Sequence, residues 1–195
     1  IATKPAYPRD SSKLLVLKKF KLYEETFFSN LSSYLKEGDL VVLNNTKVNA
    51  SKINGTKINH NSSVEFTFIN NTSRGLWSCF ALPGKKVKIG DIFLFNDVEG
   101  NIVKKDRETI YIDFKENNSK FINILNENGK ISLPPYISKV RELNEDDNTS
   151  YQTIYSEVNG SIAAPTAGLH FTDKVFEDLK KMNIDIEKIT LNIGP

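Results

Sequence analysis

The hydrophobic pattern of this 195-residue chain changes character twice, and that change limits its fold more than any single residue does. Near the start, the apolar run Leu14-Leu15-Val16-Leu17 reads as a short buried strand. Phe27, Phe28, Leu31, Tyr34 and Leu35 then recur at one-face helical spacing, with Thr26 or a neighbouring glutamate to start the helix and Gly38 as its left-handed stop. Leu40-Val41-Val42-Leu43 is a second run of strand length and opens into the polar loop Asn44-Asn45-Thr46-Lys47. Strand, helix, buried strand and polar loop describe an α/β unit, in which ligands gather beyond the carboxyl ends of the strands.

From about Lys57 the chain switches to short β segments: Val64 to Ile69, Leu76 to Leu82, Ile92 to Phe95, Ile102 to Lys104 and Thr109 to Phe114. Asn70-Asn71, Pro83-Gly84, Glu99-Gly100-Asn101 and Glu116-Asn117-Asn118 punctuate them at hairpin intervals, which predicts a small barrel or sandwich. Phe66, Phe68, Phe93 and Phe95 alternate as a core face would. After a short helix near Lys120 to Asn126, the turn-rich Leu133-Pro134-Pro135-Tyr136 and the polar stretch Asn144 to Asn148 lead back to α/β patterning. A helix with Val175, Phe176, Leu179 and Met182 on one face precedes the strand-like stretch from Ile184 to Ile193. The expected fold is therefore α/β plus β: a discontinuous α/β sheet domain, residues 1–56 with 149–195, interrupted by a small inserted β-barrel domain, residues 57–148. Leu40 to Leu43 and Ile184 to Ile193 should then share one sheet.

Composition excludes several classes. With 39% hydrophobic and 26% charged residues the chain is globular, and no apolar run approaches the roughly 20 residues a membrane span needs. The single cysteine, Cys79, forbids an intrachain disulfide and any multi-cysteine metal site, so no metal is expected and a reducing, cytoplasmic location is. Cys79 reads as a half-buried strand residue. A net charge of +2 is too mild to point to nucleic acid by itself. Beginning at Ile1 without a methionine and ending on Gly194-Pro195, the chain reads as a fragment at both ends, and its pattern sets no subunit number.

The ten residues Ala163-Ala164-Pro165-Thr166-Ala167-Gly168-Leu169-His170-Phe171-Thr172 join a small-residue loop, a proton carrier and a helix start. Small residues let a backbone approach a ligand, Thr172 can cap the next helix, and free N–H groups at that start favour anions. His170 can carry a proton near neutral pH. The same loop also fits a rigid connection with a structural histidine. His60, the only other histidine, lies in the turn-like Asn59-His60-Asn61-Ser62 and should face solvent.

Four blocks together resemble one family: Pro8-Arg9-Asp10-Ser11-Ser12-Lys13-Leu14-Leu15; Gly38-Asp39-Leu40-Val41-Val42-Leu43-Asn44-Asn45-Thr46-Lys47-Val48; Leu133-Pro134-Pro135-Tyr136-Ile137; and Tyr151-Gln152-Thr153-Ile154-Tyr155 running on to the ten-residue loop. In that order they are similar to the S-adenosylmethionine:tRNA ribosyltransferase-isomerases of queuosine biosynthesis. The resemblance implies an α/β domain interrupted by a β-barrel and a reaction on tRNA. In it, the ribosyl group of S-adenosylmethionine moves to the aminomethyl group of 7-aminomethyl-7-deazaguanine at the anticodon wobble position and rearranges to an epoxycyclopentane. Adenine and methionine leave, and epoxyqueuosine-tRNA is the product. S-adenosylmethionine is then a consumed co-substrate rather than a cofactor, and tRNA with a modified wobble base is the partner.

Such chemistry needs a pocket for a sulfonium cation, a base and the exclusion of water. His170 and Asp10 are the catalytic candidates. Tyr151, Tyr155 and Phe171 offer aromatic faces to the cation, beside Ala167, Gly168 and Thr172 of the loop. Arg9, Lys13, Asn44, Thr46, Lys47 and Gln152 are the candidates for binding the rest of the substrate. Each has a structural counterpart: a core aromatic, a turn-capping aspartate, a solvated lysine. Lys85-Lys86-Val87-Lys88 reads either as a tRNA backbone contact or as a solvated hairpin face.

The chain departs from the family pattern at Asn45, where aspartate is usual, at Lys52 for arginine, at Leu82 for a basic residue, at Ser132 for proline and at Asn192 for histidine. The changes at Asn45 and Asn192 weaken proton-transfer roles at those two positions. The alternative readings are a non-catalytic RNA-binding β-barrel protein and an inactive fragment of the enzyme. An ordinary methyltransferase would place a glycine-rich turn after the first strand, and none follows Leu17.

Overall fold

The computed structural model describes residues 3–18, 21–60, 62–72 and 75–194. In chain order the strands and helices are β1 (Lys13–Lys18), β2 (Lys21–Phe27), β3 (Leu40–Asn44), β4 (Thr46–Val48), β5 (Lys52–Lys57), β6 (Ser63–Thr72), β7 (Leu76–Leu82), β8 (Ile92–Phe95), β9 (Val98–Asp106), β10 (Thr109–Asp113), α1 (Asn118–Asn128), α2 (Pro135–Ser138), α3 (Asp147–Ser150), β11 (Val158–Ser161), α4 (Asp173–Lys181) and β12 (Asp185–Ile189). They form two compact units: residues up to Val48 with Leu133–Ile193, and Asn49–Ser132 with Gly194.

The second unit is a closed six-stranded barrel in the order β10-β7-β6-β5-β8-β9, all neighbours antiparallel. Phe66, Phe68, Phe93 and Phe95 all face its interior, each at most 2% exposed. Helix α1 adds Phe121, which stacks on Phe114 at 3.8 Å between ring centroids, and its indole-facing end is held where Trp77 Nε1 donates to Asn118 Oδ1. Cys79 is fully buried rather than half-buried, and burial pushes its thiol pKa up. The barrel begins earlier and ends earlier than the expected 57–148. Strand β5 pairs with both β6 and β8, so the barrel cannot close without Lys52–Lys57, while 133–148, with α2, belongs to the first unit.

In the first unit β12 runs parallel to β3, from Asp185 opposite Leu40 to Ile189 opposite Asn44, as the sheet expectation required. A second parallel pair joins β11 to β4. These are separate two-stranded sheets rather than one continuous sheet. The break falls at Asn45: its N–H donates to Ile189 on the β12 side, and its carbonyl accepts from Glu157 and Val158, leading into β11.

Two elements differ in kind from their sequence reading. Leu14 to Leu17 is not a buried strand but part of the antiparallel pair β1-β2, with Leu15 and Leu17 exposed. The expected helix from Thr26 is the end of β2 followed by a 3-10 helix, Phe28–Tyr34. Phe28, Leu31 and Tyr34 are three apart, the period at which 3-10 side chains eclipse, so the spacing that suggested an α-helix serves the tighter one. Phe28 and Leu31 pack with Leu43, Phe171, Val175, Leu179 and Ile184 into the core of this unit. Thr172 caps α4 as expected, its Oγ1 accepting from the Val175 N–H at 3.3 Å.

Candidate functional site

Residues Arg9 and Asp10 stand side by side in a one-turn 3-10 helix, Arg9–Ser11, and line two different cavities. The first cavity, of about 440 Å³, is walled by Arg9, Tyr136, Arg141, Asp147, Tyr151 and His170 among others. Its size suits a small-molecule ligand, for which pockets run from about 300 to 1,000 Å³. The second, of about 490 Å³ and more open, is lined by Asp10, Thr172, Phe27 and Lys174 with neighbouring turn residues.

In the first cavity His170 ends the short 3-10 helix Thr166–His170, its ring tilted against Phe28 at 5.4 Å. Burial lowers its pKa from the ordinary histidine value, so the imidazole is neutral at pH 7. It has no hydrogen-bond partner among the described residues. A half-buried neutral imidazole facing a cavity can accept a proton there. Tyr151 contributes a buried ring to the same wall, and burial raises its phenol.

Arg9 is the keystone of that wall. Its Nη1 donates to the carbonyls of Gln152 at 2.7 Å and Leu169 at 3.4 Å, and its Nη2 to that of Thr149 at 2.6 Å. One side chain thus joins the amino-terminal segment, the end of α3 and the histidine-bearing loop. Burial lowers the guanidinium pKa from its usual value, though arginine stays charged. Arg141 behaves differently: it forms a two-pronged pair with Asp147, both contacts at 2.7 Å, and its Nε donates to the Thr3 carbonyl.

Sequence reasoning missed Tyr136, Arg141 and Asp147 as cavity residues. A signal was available in Asn144-Glu145-Asp146-Asp147, because Asn144 and Asp147 exchange hydrogen bonds three residues apart, as in a capping box.

The remaining candidates lie elsewhere. Asp10 is 5% exposed and accepts from the Thr172 hydroxyl at 3.0 Å, which ties this carboxylate to the capping residue of α4. His170 and Thr172 therefore face different cavities rather than one. Tyr155 and Phe171 are core residues, meeting edge to face at 5.9 Å. Gly168 is buried under Tyr155, whose hydroxyl a Cβ at that position would strike. Its small size serves packing between protein groups. Ala167, Lys13 and Lys47 are exposed and line neither cavity.

Three polar candidates are spent on the chain itself. Gln152 acts as a strand neighbour to Val48, accepting from its N–H at 2.9 Å and donating to its carbonyl at 3.2 Å. Asn44 does the same for Leu191, at 3.0 Å and 2.9 Å. The fully buried Thr46 hydroxyl meets Ser161 at 2.7 Å and donates to Asn192 Oδ1 at 3.1 Å. His60 faces solvent, and Lys85, Lys86 and Lys88 are exposed.

Residues 1–195 match the family model described as queuosine biosynthesis protein. The chain belongs to that family. It is similar to S-adenosylmethionine:tRNA ribosyltransferase-isomerases from Halothermothrix orenii, at 39% identity, Clostridioides difficile, at 38%, and Thermoanaerobacter sp., at 36%. In each case the whole chain is covered, and it spans 57% of the relative's length. A crystal structure of an S-adenosylmethionine tRNA ribosyltransferase from Thermotoga maritima is 26% identical, covering all of this chain and 55% of that one with a TM-score of 0.37.

Within the queuosine biosynthesis family pattern, Asn45 and Asn192 are positioned as amides. Asn45 Nδ2 donates to Glu157 at 3.1 Å and its Oδ1 accepts from Thr190 at 2.7 Å. An aspartate would set two carboxylates against each other at the first contact. Asn192 accepts from Thr46 and lies against Gly160, where any Cβ would meet it.

Proposed function

We propose that this chain carries the S-adenosylmethionine site of a tRNA ribosyltransferase-isomerase in queuosine biosynthesis, with the cavity of Arg9, Tyr151 and His170 holding the co-substrate. Family membership supports the reaction class. The observation that carries the site is a neutral imidazole without a protein partner among the described residues, facing a cavity of small-molecule size.

In this reading the ribosyl group loses its bonds to adenine and to the methionine sulfur, gains one to the amine of 7-aminomethyl-7-deazaguanine in tRNA, and closes on itself to the epoxycyclopentane with the electron pair freed by loss of a sugar proton; adenine leaves with the proton given up by the amine, and methionine leaves as the neutral thioether. His170 accepts the proton that the ribosyl group gives up. The half-buried wall limits water, which protects a reactive sugar intermediate from hydrolysis. S-adenosylmethionine is consumed, so no resident cofactor is required, and the protein works where tRNA is, in the cytoplasm. Asp10 is assigned to holding the start of α4 rather than to the chemistry. The competing reading, an RNA-binding barrel without catalysis, would use aromatic faces on the barrel surface. Phe66, Phe68, Phe93 and Phe95 are all interior, which removes its best stacking candidates.

Mass analysis of nucleosides decides the matter, using protein from the complete reading frame, S-adenosylmethionine and tRNA bearing the aminomethyl-deazaguanine. Epoxyqueuosine is the expected product. His170→Ala should lower turnover by roughly 10²–10⁴-fold without changing the melting temperature, the usual range for a general acid–base group. Unchanged nucleoside with folded wild-type protein refutes the reaction, and full turnover by the variant removes His170 from it.

A further inference from the structure

The two arginines of the first cavity differ in one respect that bears on its ligand. Arg141 is neutralised by Asp147 through two short contacts. Arg9 is more deeply placed among main-chain atoms, and its three acceptors are all neutral carbonyls. Among the described residues no carboxylate forms an ion pair with it. Holding a partly buried charge without a counter-ion carries a cost that neutral carbonyls only partly offset. Lys4 lies on the same wall, and among the described residues Asp147, whose charge Arg141 already uses, is the only carboxylate there. The cavity is therefore electropositive when His170 is neutral.

Donor counting makes the need specific. Carbonyls take two hydrogens of Nη1 and one of Nη2, which leaves Nε–H and the second Nη2 hydrogen without a protein acceptor among the described residues. Nε and Nη2 share one edge of the rigid guanidinium plane. Such a pair matches the two oxygens of a carboxylate, a geometry that lysine cannot offer.

We propose that Arg9 is the carboxylate-binding residue of this cavity, taking the α-carboxylate of an amino-acid-bearing ligand through Nε and Nη2. The assignment rests on the reading that S-adenosylmethionine occupies the cavity, and it fixes which end of that molecule Arg9 holds. The same guanidinium ties the carboxylate subsite to the Leu169 carbonyl, one residue from His170. Seating the amino-acid end thereby orders the loop that carries the proton acceptor.

Calorimetric titration of the chain with S-adenosylmethionine and with decarboxylated S-adenosylmethionine tests this without disturbing the protein. The two ligands share the sulfonium, ribose and adenine and differ only in the carboxylate. Wild-type protein should bind the carboxylated ligand about 10- to 100-fold more tightly, the effect of a charge-assisted pair of hydrogen bonds. In Arg9→Gln and Arg9→Lys the ratio should fall toward unity, even if both affinities drop because the carbonyl ties are weakened. Equal wild-type affinity for the two ligands overturns the Arg9 assignment and leaves the co-substrate site standing. A preference retained in Arg9→Gln overturns it as well and moves the carboxylate to another group. Failure of the folded wild-type chain to bind either ligand overturns the site together with the assignment.

Discussion

The barrel fills its centre with rings: Phe66, Phe93, Phe95, Phe114 and Phe121 are each at most 1% exposed. The other unit has a smaller apolar core and is laced by side chains that bond to distant main chain, with Arg9, Asn44 and Gln152 each reaching carbonyls or N–H groups more than 100 residues away. Its sheets are pairs of strands, whereas the barrel closes on itself. A closed barrel satisfies its ladder without outside help, while two-stranded pairs leave edges that side chains must partner. Both cavities described above lie in the unit of paired strands. Its polar ties hold loops in place where a continuous sheet would have filled the space.

The largest effect that tests this contrast is in the barrel. Phe66 touches Phe68, Phe93 and Phe95 and is completely buried, so Phe66→Ala should destabilise the barrel by about 3–5 kcal/mol, the range for deleting a core phenylalanine. Chemical denaturation followed through Trp77, which packs on Phe68, reads it directly. A loss below 1 kcal/mol would mean that the rings are not what holds this unit.

Gln152→Ala should have the next largest effect. Val48 is 5% exposed, and the variant strands both its N–H and its carbonyl, at a cost of about 2 kcal/mol. On the proposed reading of the cavity, S-adenosylmethionine affinity, measured at a temperature where the variant is folded, should be unchanged. Lost affinity at unchanged stability would return Gln152 to the substrate and blur the contrast between tie and site.

The same contrast explains what the sequence made legible. Barrel strands announce themselves because interior and exterior residues alternate, as in Phe66 and Phe68. Strand β5 escaped because Gly55 occupies an inward position next to Phe95 and Phe66, hiding the alternation of Lys-Ile-Asn-Gly-Thr-Lys. In the other unit, local pattern found α4, its Thr172 cap and the β3 strand. Local pattern could not show that Asn45 splits the sheet, since that depends on bonds to Ile189, Glu157 and Val158. Site residues suffered most. Arg9, Tyr151 and His170 do share a cavity, but Asn44, Thr46 and Gln152 are polar for reasons that lie far along the chain. A polar residue in a signature block looks the same whether it holds a ligand or a neighbouring strand.

The smallest effect expected is one of pH, read at the Arg141–Asp147 pair of the cavity unit. The hydrogen bonds from Arg141 hold the Asp147 carboxyl below its ordinary pKa, with burial opposing and the Asn144 N–H assisting. A carboxyl whose folded pKa is depressed adds stability above its unfolded pKa, near 4, and loses it as pH falls through the folded value. The cavity unit should therefore weaken below about pH 4, and Asp147→Asn should remove that part of the acid dependence while lowering stability at pH 7. The pair is partly open to solvent on the Arg141 side, so screening keeps the effect modest and added salt should reduce it. Amide exchange at Asn144 and Tyr151, whose N–H groups bond to Asp147 side-chain and main-chain oxygens, reports on this unit locally. An acid dependence at those amides that is the same in Asp147→Asn and wild type would place the titrating group elsewhere and leave the Arg141–Asp147 pair as geometry without energetic consequence.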